Sequence, residues 1–497
     1  MPYTRTEIPQ NGASRARQPG QSALETLPAE ILQKILRNLE LDSGKQRSGV
    51  INAFDHGESS CLSLEKPTLF SCLLASRVLY ANALPITYRS VTISRMSTFN
   101  HILSQITGNP VLGRAIRRLD LSDLKVASPR REFSNSLHGM LCLTPILNEI
   151  YLPHDRNLNE TLSGAVLQIL LTGLPHLKVL DFTNCTSLTA GHSDVFAQSP
   201  PTAMLPIKSL SLTDSRTDHE ATTSLLPSLF PRLAHIETMM LSKSNVTAEI
   251  LNAIPSTARI THLAVNHCPL LETESFVDFL LSHPAVKDTL EVLHASIDPV
   301  DLDEDSTAHE EQLTERLLQN APETLRSLRL AGRPMTSASV AHLKTLAATA
   351  EDLSIGTGLR IHDLETLFLD TVDDPSARAN HQTTQEESEV DSKYTAVLEP
   401  MERAIAICKL RQRLSTTPVP AHAAGKPSLR YLDIRAMDFI EQSKIRCSIL
   451  LGDHSASLDV IAVSDRLMDR SGTLRDICAS VGWKVKREGR KCLLMRR

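Results

Sequence analysis

A chain of 497 residues, 41% apolar and 22% charged, is too long for one compact core unless its architecture repeats, and with 4% aromatics and a single Trp it favours aliphatic layers over aromatic-filled sandwiches. A net charge of −5 supplies no dense basic face for nucleic acid, and no apolar run approaches the roughly 18–20 residues of a membrane span. The nine cysteines are scattered without a C-x-x-C pair, which fits reduced thiols in the cytoplasm and/or nucleus better than disulfides or zinc.

Residues 1–22 are polar, lack the apolar core of a secretory signal, and read as a disordered lead. From Leu27 onward Ile31, Leu32, Ile35, Leu36 and Leu39 repeat at helical spacing. Thr26 suits the cap, Pro28 the first turn and Glu30 the positive end of the helix dipole. Residues 40–66 carry Gly, Ser and charge and read as an inserted loop. A second apolar helix follows with Leu69, Leu73, Leu74, Val78 and Leu79, closing before Pro85, and Tyr88, Val91 and Ile93 lead out as a strand.

The stretches LPAEILQKIL and SCLLASRVLYANALPITYRSV resemble an F-box of the fungal type, with Leu-Pro-x-Glu-Ile-Leu, a Ser-Arg pair in the second helix and a Pro-x-x-Tyr-Arg exit into a strand. The likeness spans residues 23–93. It departs from the family at the Trp that usually follows the Ser-Arg pair, where Leu79 and Tyr80 stand, and in the length of the 40–66 insertion. The resemblance implies a short helical domain that docks on the Skp-type adaptor of a cullin–RING ubiquitin ligase. The adaptor-facing residues it implies are Leu27, Pro28, Ile31, Leu32 and Ile35 of the first helix and Leu73 and Leu74 of the second.

Beyond this region an apolar-x-x-apolar-x-apolar pattern recurs. Its occurrences are Ile116/Leu119/Leu121, Leu147/Ile150/Leu152, Leu177/Leu180/Phe182, Ile207/Leu210/Leu212, Ile236/Met239/Leu241 and Ile260/Leu263/Val265. It continues as Leu290/Leu293/Ala295, Leu325/Leu328/Leu330, Ala350/Leu353/Ile355, Leu429/Leu432/Ile434 and Leu458/Ile461/Val463. The interval stays at roughly thirty residues except for one long gap, which is the signature of stacked repeats. Helical segments such as Leu162–Leu171 and Phe276–Leu281 fall between the strand-like ones. A strand and a helix per unit, with L-x-x-L-x-L at the strand, resembles degenerate leucine-rich repeats, and implies an α/β fold: a horseshoe solenoid with a curved parallel sheet over residues 94–482. The family's Asn or Cys just past the strand is matched by Cys185 and Cys268, with Ser215, Ser244, Asp155 or Asp298 elsewhere.

Two segments interrupt the repeats: 298–311, expected as an acidic loop, and 372–393, whose near absence of apolar residues predicts disorder. A further helix is expected from Glu399 to Leu414. Residues 483–497 read as a capping hairpin turning at Glu488-Gly489 with Trp483 as its anchor; their basic residues serve the cap or, alternatively, an anion-binding or import patch.

No phosphate loop, HExxH or nucleophile elbow is present, and Gly356-Thr-Gly358 lacks the third Gly of a dinucleotide fingerprint. His262, His267 and Cys268 lie near one strand without a fourth ligand in sequence, so neither a metal nor another cofactor is expected. In the repeat likeness the residue between the last two apolar positions faces the concave side. That row offers Asp120, Tyr151, Asp181, Met240, His294 and Arg329 as target-binding candidates, a mixture that suits a protein surface better than a polyanion. Taken together, the resemblances imply a non-catalytic substrate-recognition subunit of an SCF-type E3 ligase, bound to an unidentified target protein and to neither nucleic acid nor membrane. The rivals are a non-ligase repeat scaffold and an enzyme with a site in the 298–311 or 372–393 insertions.

Overall fold

Every one of the eleven recurring patterns becomes a strand that contains its middle apolar residue, centred on it in all but the last. In the computed structural model the described residues are 22, 24, 27–45, 67–125, 130–154, 162–184, 204–214, 225–297, 304–365, 367–368, 428–437, 449–451, 457–467, 473–488 and 491–496. The 1–21 part of the lead, residues 46–66, the 372–393 insertion, the segment 399–414, Asp155, Cys185, Ser215 and Asp298 lie outside them.

Three helices come first: α1 (Ala29–Lys45), α2 (Pro67–Ala75) and α3 (Arg77–Arg89). Among the described residues twelve parallel strands follow in chain order. They are β1 (Ser90–Thr92), β2 (Arg118–Asp120), β3 (Glu149–Tyr151), β4 (Val179–Asp181), β5 (Ser209–Ser211) and β6 (Thr238–Met240), then β7 (His262–Ala264), β8 (Val292–His294), β9 (Ser327–Arg329), β10 (Asp352–Ser354), β11 (Tyr431–Asp433) and β12 (Val460–Ser464). A hairpin of β13 (Trp483–Glu488) and β14 (Lys491–Arg496) adds antiparallel to β12, giving a mixed α/β fold built on one large, mostly parallel sheet.

The register is uniform. Val91 pairs with Leu119, Leu119 with Ile150, and so on through Leu353 with Leu432 and Leu432 with Ile461. All three apolar positions of each pattern are buried, so one aliphatic core runs the length of the sheet. The return segments cover that core with short helices. Among them α4 (Met96–Gly108), α6 (Arg130–Leu143), α10 (Thr273–Ser282), α12 (Glu304–Gln319) and α13 (Ser339–Ala347) all contribute buried residues (α5, Pro110–Ala115, α7, Gly164–Gln168, α8, Leu226–Leu229, α9, Ala248–Asn252, α11, Pro284–Lys287, α14, Ile361–Glu365, and α15, Thr473–Ser480, are the other α-helices among the described residues).

Three sequence expectations change. The acidic stretch at 298–311 is not wholly a loop: from Glu304 it forms the first half of α12, whose Leu313, Leu317 and Leu318 are buried, while Glu310 accepts a hydrogen bond from Arg333 Nη1 at 2.9 Å. Residues 40–45 of the expected insertion continue α1. The second N-terminal helix is two helices, because Ser76 has extended backbone angles and its Oγ accepts from the Leu79 N–H, capping α3. Pro85 then sits inside α3 instead of ending it, and the strand begins at Ser90.

The bends past the strands explain two sequence oddities. Asn184, Asp214, Lys243 and His267 hold positive φ at equivalent points of successive repeats, and each of their N–H groups bonds to a carbonyl of the next turn, such as Asn184 N–H to Thr213 O at 2.8 Å. At the position where the likeness expects Asn or Cys, Ser244 Oγ and Cys268 Sγ both donate to Leu241 O, and Arg333 Nε donates to Ala295 O at 2.6 Å. Gly356 is required by space, since an added Cβ would meet Arg333 O at 1.9 Å, whereas Gly139 in α6 has open space around it. Gly356→Ala is therefore expected to cost about 1–3 kcal/mol, and Gly139→Ala to add about 0.4–1 kcal/mol, in denaturant unfolding of the intact chain.

Candidate binding surfaces

The N-terminal helices build a small core of their own. Leu32 and Leu36 of α1 meet Leu79, Ala83 and Ile86 of α3, with Cys72 and Leu73 of α2 partly buried against them. Gln33 Nε2 donates to Asn82 Oδ1 at 3.4 Å, tying α1 to α3. The same α3 turns Leu84 and Tyr88 toward the sheet core, so one helix belongs to both.

This core is too small for all the aliphatic side chains it carries. Ile31 (47%) and Ile35 (37%) stay exposed one turn apart on α1, Leu74 of α2 is 90% exposed, and Val78 and Tyr80 of α3 also face out. Of the residues implied by the F-box likeness, Pro28, Ile31, Ile35 and Leu74 are thus on the surface, Leu27 and Leu73 are half-buried, and Leu32 is fully buried. Leu32 acts by packing, and offers no surface. Leu79, in the region of the family's Trp, is buried in the same core.

The second surface is the sheet face opposite the helices. Sequence reasoning read one row on it, but a strand alternates with period two, so the residue before each central apolar position lies there as well. The missed row holds Arg118, Glu149, His262, Ser327, Asp352 and Tyr431, and it supplies the partners of the first. Arg118 pairs with Asp120 (3.3 Å) and Glu149 (3.4 Å), and its guanidinium lies 4.5 Å from the centre of the Tyr151 ring. Burial, opposed by Arg118, pushes the Tyr151 hydroxyl up to about 12. Asp181 is raised by burial but more strongly lowered by Thr183, whose N–H donates to Oδ1 at 2.8 Å, and by His154, whose Nε2 lies 3.9 Å from Oδ2, so its carboxyl sits below the usual range. Met240 is half-buried beside the uncharged β5 and β7.

Toward the C-terminal end Arg329 and Ser327 both hold Asp352 Oδ2 at 3.1 Å, and Arg435 holds Asp433 through 2.6–3.1 Å bonds. Burial, opposed by Arg329, pushes the Asp352 carboxyl up. The predicted target-binding residues are therefore brought onto one face, but Asp120, Tyr151, Asp181 and Arg329 are already engaged within the chain. His262 accepts or donates at Nδ1 to Thr261 Oγ1 (2.8 Å), and Cys268 bonds backbone. Among the described residues no group of three or more His, Cys, Asp or Glu side chains is arranged to hold a metal ion, and no helix is long and apolar enough to cross a membrane.

No protein-family model matches the chain, and no curated protein matches it. Among solved structures it is similar to one from the yeast Rad7 and Elc1 complex, at 16% identity and a TM-score of 0.30, over 63% of this chain and 90% of that one.

His294, 3% exposed between Ala264 and Arg329, gives this face a pH signature. Burial, with Arg329 and His262 adding to it, pushes its imidazole down to about 3. An unfolded His titrates near about 6.5, so between these values the unfolded chain binds a proton that the folded chain does not. Stability therefore falls as pH drops below about 6.5, by up to about 1.4 kcal/mol per pH unit from this group. His294→Gln is expected to flatten the stability–pH slope between about pH 5 and 6.5 in urea unfolding; an unchanged slope would contradict this assignment.

Proposed function

We propose that the chain is a substrate-recognition subunit of an SCF-type cullin–RING ubiquitin ligase. The N-terminal helices dock a Skp-type adaptor as an F-box, and the sheet face, as the inner face of a leucine-rich-repeat solenoid, holds a target protein. The chain performs no chemistry itself. Its contribution is proximity, raising the effective concentration of a target lysine near the conjugating enzyme.

The observation that carries this reading is the exposed aliphatic set on α1–α3. Ile31, Ile35, Leu74 and Val78 lie outside both cores although the neighbouring Leu32, Leu36 and Leu79 are well buried. Exposed apolar surface of this kind marks an interface. It includes Ile31, Ile35 and Leu74 of the residues that the F-box likeness assigns to the adaptor. The sheet face supports the second half, since its mixture of ion pairs, hydroxyls and half-buried apolar side chains suits a specific protein surface.

The test is co-purification of the intact chain with a Skp-type adaptor. Ile31→Asp with Leu74→Asp should weaken the complex at least about a hundredfold, the loss expected of two interface anchors. Because both side chains are exposed, the unfolding midpoint should hold. No complex with the unaltered chain, or one indifferent to the double substitution, would sink the reading.

A further inference from the structure

The terminal hairpin closes the sheet but leaves it a new edge. Among the described residues β13 pairs only with β14. One hydrogen bond fixes which backbone groups remain free. Arg496 N–H donates to Asp459 O at 2.9 Å, on the β12 side, so the N–H and C=O groups of Cys492, Leu494 and Arg496 point toward β12. Those of Lys491, Leu493 and Met495 then point to β13, where Glu488, Lys486 and Lys484 stand opposite. The groups of Trp483, Val485 and Arg487 are left pointing off the edge.

The side chains of this edge alternate in chemistry. Trp483 is buried and donates from Nε1 to Leu451 O at 2.9 Å, and Val485 is half-buried against the same core. Lys484 and Lys486 stand exposed on the open sheet face, beside Met495 and Leu493. Lys486 also reaches Glu488 at 2.6 Å, and Arg487, exposed on the other face, reaches Asp465 at 3.2 Å. Residues 483–497 hold seven basic side chains and one acidic, in a chain whose net charge is −5.

We propose that β13 is a docking edge for an extended acidic segment of another protein, which joins the sheet as a further strand. Its alternate Asp or Glu side chains lie beside Lys484 and Lys486, and its intervening aliphatic side chains extend the core over Val485. Backbone pairing supplies affinity, and the alternation supplies selectivity. Lysines on an edge strand ordinarily resist self-association, and the charge that repels a second copy of this edge admits an acidic strand. A protein segment fits better than a nucleic acid, because the aromatic side chain here, Trp483, is buried and offers no base a stacking surface. This inference stands independently of the N-terminal docking surface.

The experiment is fluorescence anisotropy of the full chain with a short labelled peptide alternating glutamate and valine. Comparison probes are a lysine–valine alternate, a block peptide of the same glutamate–valine composition, and a single-stranded oligonucleotide. Saturable binding is expected for the alternating acidic peptide alone, weakening as salt rises to about 0.5 M. Lys484→Glu with Lys486→Glu should weaken it at least about tenfold. Val485→Pro should abolish it, because the substitution removes an outward N–H while sparing the ladder to β14. N-methylating alternate residues of the peptide removes the same bonds without altering the chain, and should abolish binding too. No saturable binding, equal binding of the block peptide, or displacement by the oligonucleotide would overturn the proposal.

Discussion

One backbone carbonyl per repeat, belonging to the residue just before each strand, accepts two N–H groups from the next turn of the chain. Arg117 O takes Asn148 N–H at 2.7 Å and Glu149 N–H at 3.0 Å; Asn148 O takes Lys178 and Val179, Lys178 O takes Lys208 and Ser209, and the series runs on to Arg430 O with Asp459 and Val460 at 2.8 and 3.0 Å. It also joins Glu351 to Arg430 and Tyr431 across the long gap in the repeat. Everything else depends on this ladder. It sets a single register, which puts every middle aliphatic residue against its counterpart and leaves the two flanking residues of each strand on the open face. A one-residue slip would drive Asp181, Asp352 and Asp433 into an aliphatic core, a costly burial of charge.

The ladder also connects the two parts of the proposed function. α3 packs Leu79, Ala83 and Ile86 on one side and Leu84 and Tyr88 on the other, then passes without a linker into β1. Arg89 O accepts from Arg117 N–H at 2.9 Å, so the helix end is pinned to the first repeat. An adaptor gripping α1 and α2 would thereby set the orientation of the sheet face, which is what a receptor that presents a target at a fixed place requires.

Most of this framework was legible in the sequence because it rests on local periodicity. Leu119, Ile150, Leu180 and the other central residues announce their strands through spacing alone, and Trp483 announces the cap. Three kinds of feature were not legible. The break at Ser76 depends on a capping hydrogen bond that competes with an otherwise continuous apolar helix. The helix from Glu304 packs Leu313, Leu317 and Leu318 into the core and joins Glu310 to Arg333, 23 residues away. The candidate site was the least legible: the row Asp120, Tyr151, Asp181 and Arg329 was found from the repeat likeness, but Arg118, Glu149 and Asp352, which pair with its members or with one another, come from the second outward position of the sheet's strands. Period-two alternation was the available signal for them. Whether a side chain such as His294 is open or buried depends on its neighbours in adjacent strands, which no single repeat reveals.

The central claim is that exposed aliphatic side chains on α1–α3 wait for a Skp-type adaptor. It is tested most directly by calorimetric titration of the intact, unaltered chain with the purified adaptor at several temperatures. Burial of Ile31, Ile35 and Leu74 predicts one adaptor per chain and a negative heat-capacity change, the mark of apolar surface leaving water. The absence of binding heat at every temperature, or a binding with no heat-capacity change, would contradict it.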